Sequence, residues 1–122
     1  MIKAIVTIST IKGYAHGAYA SGWTLDQFTE ALQTIEENKF ASSSISWLVT
    51  KGKTVYKREW GAPRGGEEIF ILEADYTKYD NNMDIEAWKN NILTHAKYLK
   101  EYFEQMTIRV TFVNNVETLI IE

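Results

Sequence analysis

Ile2, Ala4, Val6 and Ile8 alternate with Lys3, Thr7 and Ser9, and apolar positions with a period of two mark a strand that buries one face. After Thr24 the spacing becomes helical. Leu25, Phe28, Leu32 and Ile35 form one apolar stripe that gives out near Asn38. Thr24, with Gln27 three residues on, has the form of a capping box, and Trp23 and Phe28 hold the positions of a hydrophobic staple. Past the polar stretch Ala41 to Ser44, Ile45, Trp47 and Val49 alternate toward Lys51-Gly52. Thr54 to Trp60 then reads as a returning strand, so this stretch predicts a hairpin.

The loop Gly61 to Gly66 holds the only proline and three glycines and breaks that pattern. Ile69 to Leu72 is a continuous apolar run, which suits a central strand. Tyr76 to Asn82 is polar and turn-like. Asp84 then caps a second helix, with Met83 and Trp88 in the staple positions and Ile85, Trp88, Ile92, Ala96, Leu99 and Phe103 as its core face. Thr107 to Val113, the turn Asn114-Asn115 and Val116 to Ile121 predict a closing hairpin, which puts Ile108, Val110 and Phe112 on one face with Leu119 and Ile121. The order β-α-β-β-β-α-β-β predicts an α+β fold: a single domain over residues 1–122, with a largely antiparallel sheet and two helices packed on one face. On the other face of the last hairpin lie Arg109, Thr111, Val113, Val116, Thr118 and Ile120, apolar enough to predict a subunit contact, with a homodimer the first expectation.

At 122 residues, with 45% hydrophobic and 24% charged side chains, the chain is long enough to bury one core. A formal net charge of −3 argues against general nucleic-acid binding, which draws on concentrated Lys and Arg. The absence of cysteine removes disulfides, a thiolate nucleophile and a Cys-based zinc site, and it fits a reducing compartment. The N-terminal run is too short and interrupted for a signal peptide or membrane span. A cytoplasmic protein without membrane attachment is expected.

Candidate chemistry gathers in two segments. Lys12, Gly13, Tyr14, His16, Gly17, Tyr19, Gly22 and Trp23 stand directly ahead of the helix that opens at Thr24. The free N–H groups and positive dipole end of a helix favour a phosphate or carboxylate, and glycines let the backbone come close. The second segment carries Arg58, Trp60, Arg64 and Gly65, which combine a two-pronged anion ligand, a stacking plane and exposed N–H groups. Together these predict a pocket for an anionic small molecule, a nucleotide or a nucleotide-derived signal.

No catalytic set competes with that reading. His16 and His95 are the only histidines, and neither sits in a zinc, nucleophile-elbow or Walker-type motif. His95, beside the apolar stripe of the second helix, reads as structural. Glu73 and Asp75 read as the end of a strand rather than a metal site, and Glu67-Glu68 as a charge pair where a strand begins. No metal, cofactor or catalytic residue is therefore expected. The sequence predicts a non-catalytic binder that sequesters or senses its ligand, as a viral or mobile-element counter-defence protein would. The alternatives are a protein-protein inhibitor or adaptor presenting Tyr14, Tyr19, Trp23 and Trp60 to a protein partner, and then a small metal-dependent hydrolase or nuclease.

Overall fold

The computed structural model describes residues 2–10, 22–62, 64–76, 83–105 and 107–114. Strand β1 (Lys3–Ser9) leads to helix α1 (Leu25–Asn38), strand β2 (Leu48–Thr54), a short 3-10 turn (Arg58–Trp60), strand β3 (Glu67–Asp75), helix α2 (Ile85–Tyr102) and strand β4 (Arg109–Val113). The sheet order is β2-β3-β1-β4, and every neighbouring pair is antiparallel. Each helix thus connects two strands with a third strand between them, the split β-α-β arrangement. The α+β class and the two helices on one face agree with the sequence pattern.

The alternation in β1 decides which face is covered. Ala4, Val6 and Ile8 are fully buried, while Lys3, Ile5, Thr7 and Ser9 are only half-buried. In β3 the buried set is Phe70, Leu72 and Ala74. Onto these pack Phe28, Leu32 and Ile35 of α1 and Trp88, Ile92 and Leu99 of α2. Phe28 stacks on Phe70 at 4.2 Å between ring centroids and meets Phe103 at 4.7 Å, so one aromatic seam ties both helices to the sheet. Leu25, expected in the stripe, is instead exposed at the first turn.

Both predicted helix starts are present. The Thr24 hydroxyl accepts from the Gln27 N–H at 3.1 Å, and the Gln27 side chain accepts from the Thr24 N–H at 3.0 Å. Asp84 accepts from the Ala87 N–H at 2.8 Å. These bonds satisfy donors that a helix end otherwise leaves open.

The predicted first hairpin is a single strand. Lys51-Gly52 lies in the middle of β2, whose pairing with β3 runs from Leu48↔Glu73 to Thr54↔Glu67. Beyond it the chain forms the 3-10 turn rather than a returning strand. The physical reason is the edge position, where exposed lysines are an ordinary device against unwanted pairing and disguise a strand as a turn. The strand expected over Val116 to Ile121 lies outside the described residues. Among the described residues, no helix is long and apolar enough to cross a membrane.

Candidate functional site

Both segments singled out in the sequence leave from the same end of the sheet. The Thr10 N–H donates to the Glu68 carbonyl at 3.2 Å, and the Trp23 N–H donates to the Thr10 carbonyl at 2.8 Å. The end of β1, the start of β3 and the approach to α1 are therefore in direct contact. Lys12, Gly13, Tyr14, His16, Gly17 and Tyr19 lie outside the described residues. Gly22 and Trp23 line a groove of about 680 Å³ with Gln27, Thr34 and Tyr102. Trp23 stands edge-on to Phe103 at 5.0 Å, so its ring is engaged with the core. Thr24 is engaged with the helix through its capping box.

The second segment spans the connection from β2 to β3. Trp60 is 69% exposed, and the Lys57 ammonium sits 5.1 Å from its ring centroid. Arg58 and Arg64 are exposed. Gly65 and Gly66 have φ of 84° and 98°. A side chain at Gly66 would also press to 2.9 Å from the Thr54 carbonyl, so only glycine lets the connection close tightly on β2. The Lys53 ammonium lies beside Gly65.

Within this connection the structure forms a pair that the sequence reading passed over. The Tyr56 hydroxyl donates to Glu67 Oε2 at 3.2 Å, with both residues half-buried. Loss of solvent, the charge of Glu67 and the hydrogen bond to it, in that order, hold the phenol above its ordinary pKa. Tyr56 is thus a neutral donor at neutral pH, bound to a carboxylate that keeps one oxygen for another partner. Glu67 stands at the start of β3, as expected, and also accepts this hydrogen bond. The signal was available in the pattern: with β2 read through Gly52, Thr54 falls opposite Glu67, the first residue of β3, and Tyr56 follows two residues on.

The other candidate acids are occupied elsewhere. Lys3 lies 3.5 Å from Glu73 and 3.7 Å from Asp75. Among the described residues, no three His, Asp or Glu side chains gather as a metal ion would require. His95 is fully buried. Its Nδ1 lies 2.8 Å from the Asn91 carbonyl and its Nε2 lies 3.1 Å from Glu36 Oε2, a contact in ion-pair range though not aligned as a hydrogen bond. Glu36 Oε1 accepts from the Ile45 N–H at 2.6 Å. This group joins α1, α2 and the chain leading to β2. It is structural, as expected of His95.

No curated protein matches the chain. Two solved structures share its fold. A phage SAM lyase in the apo state aligns with TM-score 0.58 and 13% identity over 92% of this chain and 78% of its own. A phage SAM lyase in complex with S-methyl-5′-thioadenosine aligns with TM-score 0.56 and 14% identity over 92% and 79%. The sequence profile of the SAM lyase family matches residues 2–121. The chain therefore belongs to the SAM lyase family, and the expectation of a binder without chemistry gives way to that of a catalyst.

Proposed function

We propose that this protein cleaves S-adenosylmethionine at the bond between the sulfonium sulfur and the γ-carbon of the methionine chain, releasing S-methyl-5′-thioadenosine. The observation that carries this reading is the family match across residues 2–121. The phage SAM lyase of the same fold in complex with that thioadenosine supports it. The ligand class expected from the sequence, a nucleotide-derived small molecule, is kept. Its fate changes from storage to breakdown.

The chemistry follows from the substrate. The departing sulfur keeps the electron pair of the broken bond and becomes a neutral thioether. A lyase adds no water, and an oxygen of the substrate's own carboxylate is placed to supply the new bond to the γ-carbon without a base to remove a proton. That closes a five-membered lactone that retains the ammonium group. The positive sulfonium and the negative carboxylate vanish together, net charge is conserved, and no proton moves.

What such a reaction needs from a protein is mainly conformation. The carboxylate must be folded back on the γ-carbon and held there away from bulk water, and a well-oriented intramolecular attack gains several orders of magnitude in rate. Glu67, fixed on one oxygen by Tyr56, offers its other oxygen to the substrate ammonium. This anchors the amino acid by its cation and leaves its carboxylate free to attack. Tyr56 holds the geometry of Glu67 and stays protonated because its pKa is raised. Arg58, Trp60, Arg64, Gly65 and the segment from Lys12 to Thr24 remain candidate contacts, since both segments leave this end of the sheet. Purified protein incubated with S-adenosylmethionine is expected to yield equal amounts of methylthioadenosine and the lactone by mass spectrometry. Intact substrate in the presence of folded protein would refute the reading.

A further inference from the structure

The glycines of positive φ among the described residues all lie in the connection from β2 to β3: Gly61 at 96°, Gly65 at 84° and Gly66 at 98°. A residue with a side chain is strained in that region of backbone space wherever it stands. Gly61 and Gly66 thus share one backbone demand, and they differ in what surrounds them. Around Gly61 a Cβ would find nothing within 4 Å. At Gly66 it would come to 2.9 Å from the Thr54 carbonyl oxygen and 3.1 Å from Val55 Cγ2. The Val55 side chain is exposed and can turn aside. The carbonyl belongs to the backbone and can yield only if the end of β2 moves.

That end carries one half of the Tyr56–Glu67 pair. Thr54 is the last residue of β2 and stands opposite Glu67 in the register. Tyr56 follows two residues on, past the last rung of the sheet, so the sheet fixes it only through the backbone of Thr54 and Val55. Glu67 follows Gly66 directly. The Tyr56 hydroxyl reaches Glu67 Oε2 at 3.2 Å, already long for a hydroxyl donor. A backbone shift of about half an ångström in the wrong direction would break it.

We propose that Gly66 is a positioning residue for the reaction: its missing side chain lets the ends of β2 and β3 close to the distance at which Tyr56 holds Glu67. The part of the pair in catalysis rests on the S-adenosylmethionine reading above, and the closure itself does not. Gly66 acts through the carboxylate that follows it. The demand is for empty space beside the Thr54 carbonyl rather than for a pliant connection, since Gly61 has the same dihedral and no such neighbour.

Gly61→Ala and Gly66→Ala impose nearly the same backbone strain, and only the second presses on β2. The Tyr56 ring can be followed by NMR in tyrosine-labelled protein, its signal assigned by loss in Tyr56→Phe. The wild-type phenol is raised by loss of solvent and by Glu67. In Gly66→Ala it should titrate closer to the ordinary phenol range, because the carboxylate has moved away. The kcat/KM for S-adenosylmethionine should fall about tenfold, and by less than about twofold when the change is made in Tyr56→Phe, where the bond is already gone. Gly61→Ala carries the strain alone and should leave both readouts unchanged. Gly66→Asn keeps the Cβ on a residue more tolerant of positive φ, and it decides the matter if the alanine variant does not fold. A folded Gly66 variant with the wild-type phenol titration and kcat/KM would overturn the proposal. So would equal losses in Gly61→Ala, which would reduce Gly66 to a stability residue. Wild-type protein that leaves S-adenosylmethionine intact would refute the reading of the reaction, and the phenol titration would still decide whether Gly66 closes the pair.

Discussion

The two faces of the sheet are built to different rules. Toward the helices, Ala4, Val6, Ile8, Phe70, Leu72 and Ala74 are almost wholly shielded from solvent and meet a continuous seam of aromatic rings. Toward the other side, the same strands present Lys3, Ile5, Thr7, Ile69, Ile71 and Glu67, half-buried, mixed in polarity and interrupted by Gly52. One face is closed by close packing, which fixes the fold through burial. The other keeps its polar groups available and carries the Tyr56–Glu67 pair at its end. Strand alternation lets one backbone serve both purposes, because neighbouring residues answer to different surroundings.

This division can be broken from either side. The largest effect is expected on the helix side, where Trp88 is fully buried. Trp88→Ala should cost about 3–5 kcal/mol in chemical denaturation, from lost burial and the cavity left behind. On the other side, Glu67→Gln should lower kcat/KM by about a hundredfold, equal to roughly 2.7 kcal/mol of transition-state stabilisation. Its unfolding free energy should shift by less than about 1 kcal/mol. A variant that loses activity only by losing stability would erase the distinction.

Tyr56→Phe should have a smaller effect, roughly tenfold in kcat/KM, since it removes one hydrogen bond to a charged group and leaves the carboxylate in place. The phenol pKa is raised in the folded protein. Its hydrogen bond is therefore fully present below the ordinary phenol value near 10 and is lost only as pH climbs through the higher folded value. The alkaline limb of the pH-rate profile should lie above that ordinary value and disappear in Tyr56→Phe. Least of all, Lys3→Ala should change stability by under about 1 kcal/mol, because its pairs with Glu73 and Asp75 are solvent-screened.

The closed face was legible in the sequence and the open one was not, for the same physical reason. Burial imposes a period, so Val6, Phe28, Trp88 and Leu99 announce themselves. Capping imposes residue types at fixed spacing, so Thr24 with Gln27, and Asp84, could be named in advance. The edge strand β2 carries Lys51, Gly52 and Lys53 with little burial to order them, and was mistaken for a turn. That reading concealed the Tyr56–Glu67 pair. Only when β2 continues to Thr54, opposite Glu67, does Tyr56 come within reach of the carboxylate. The sequence also singled out Arg58, Trp60, Arg64 and the glycines around them, which lie in the same connection as the Tyr56–Glu67 pair. It gave no sign of a reaction, because the intramolecular displacement proposed for this chain needs an oriented substrate rather than a nucleophile, base and metal of recognisable spacing.

The assignment of chemistry to the open face is tested most directly by titrating methylthioadenosine into isotopically labelled protein and following backbone amide shifts. The account predicts that the largest changes fall on Thr54, Tyr56 and Glu67, with the core-facing amides of Phe70 and Leu72 moving less. Changes confined instead to the groove lined by Trp23, Gln27, Thr34 and Tyr102 would place the ligand against the helices and contradict it.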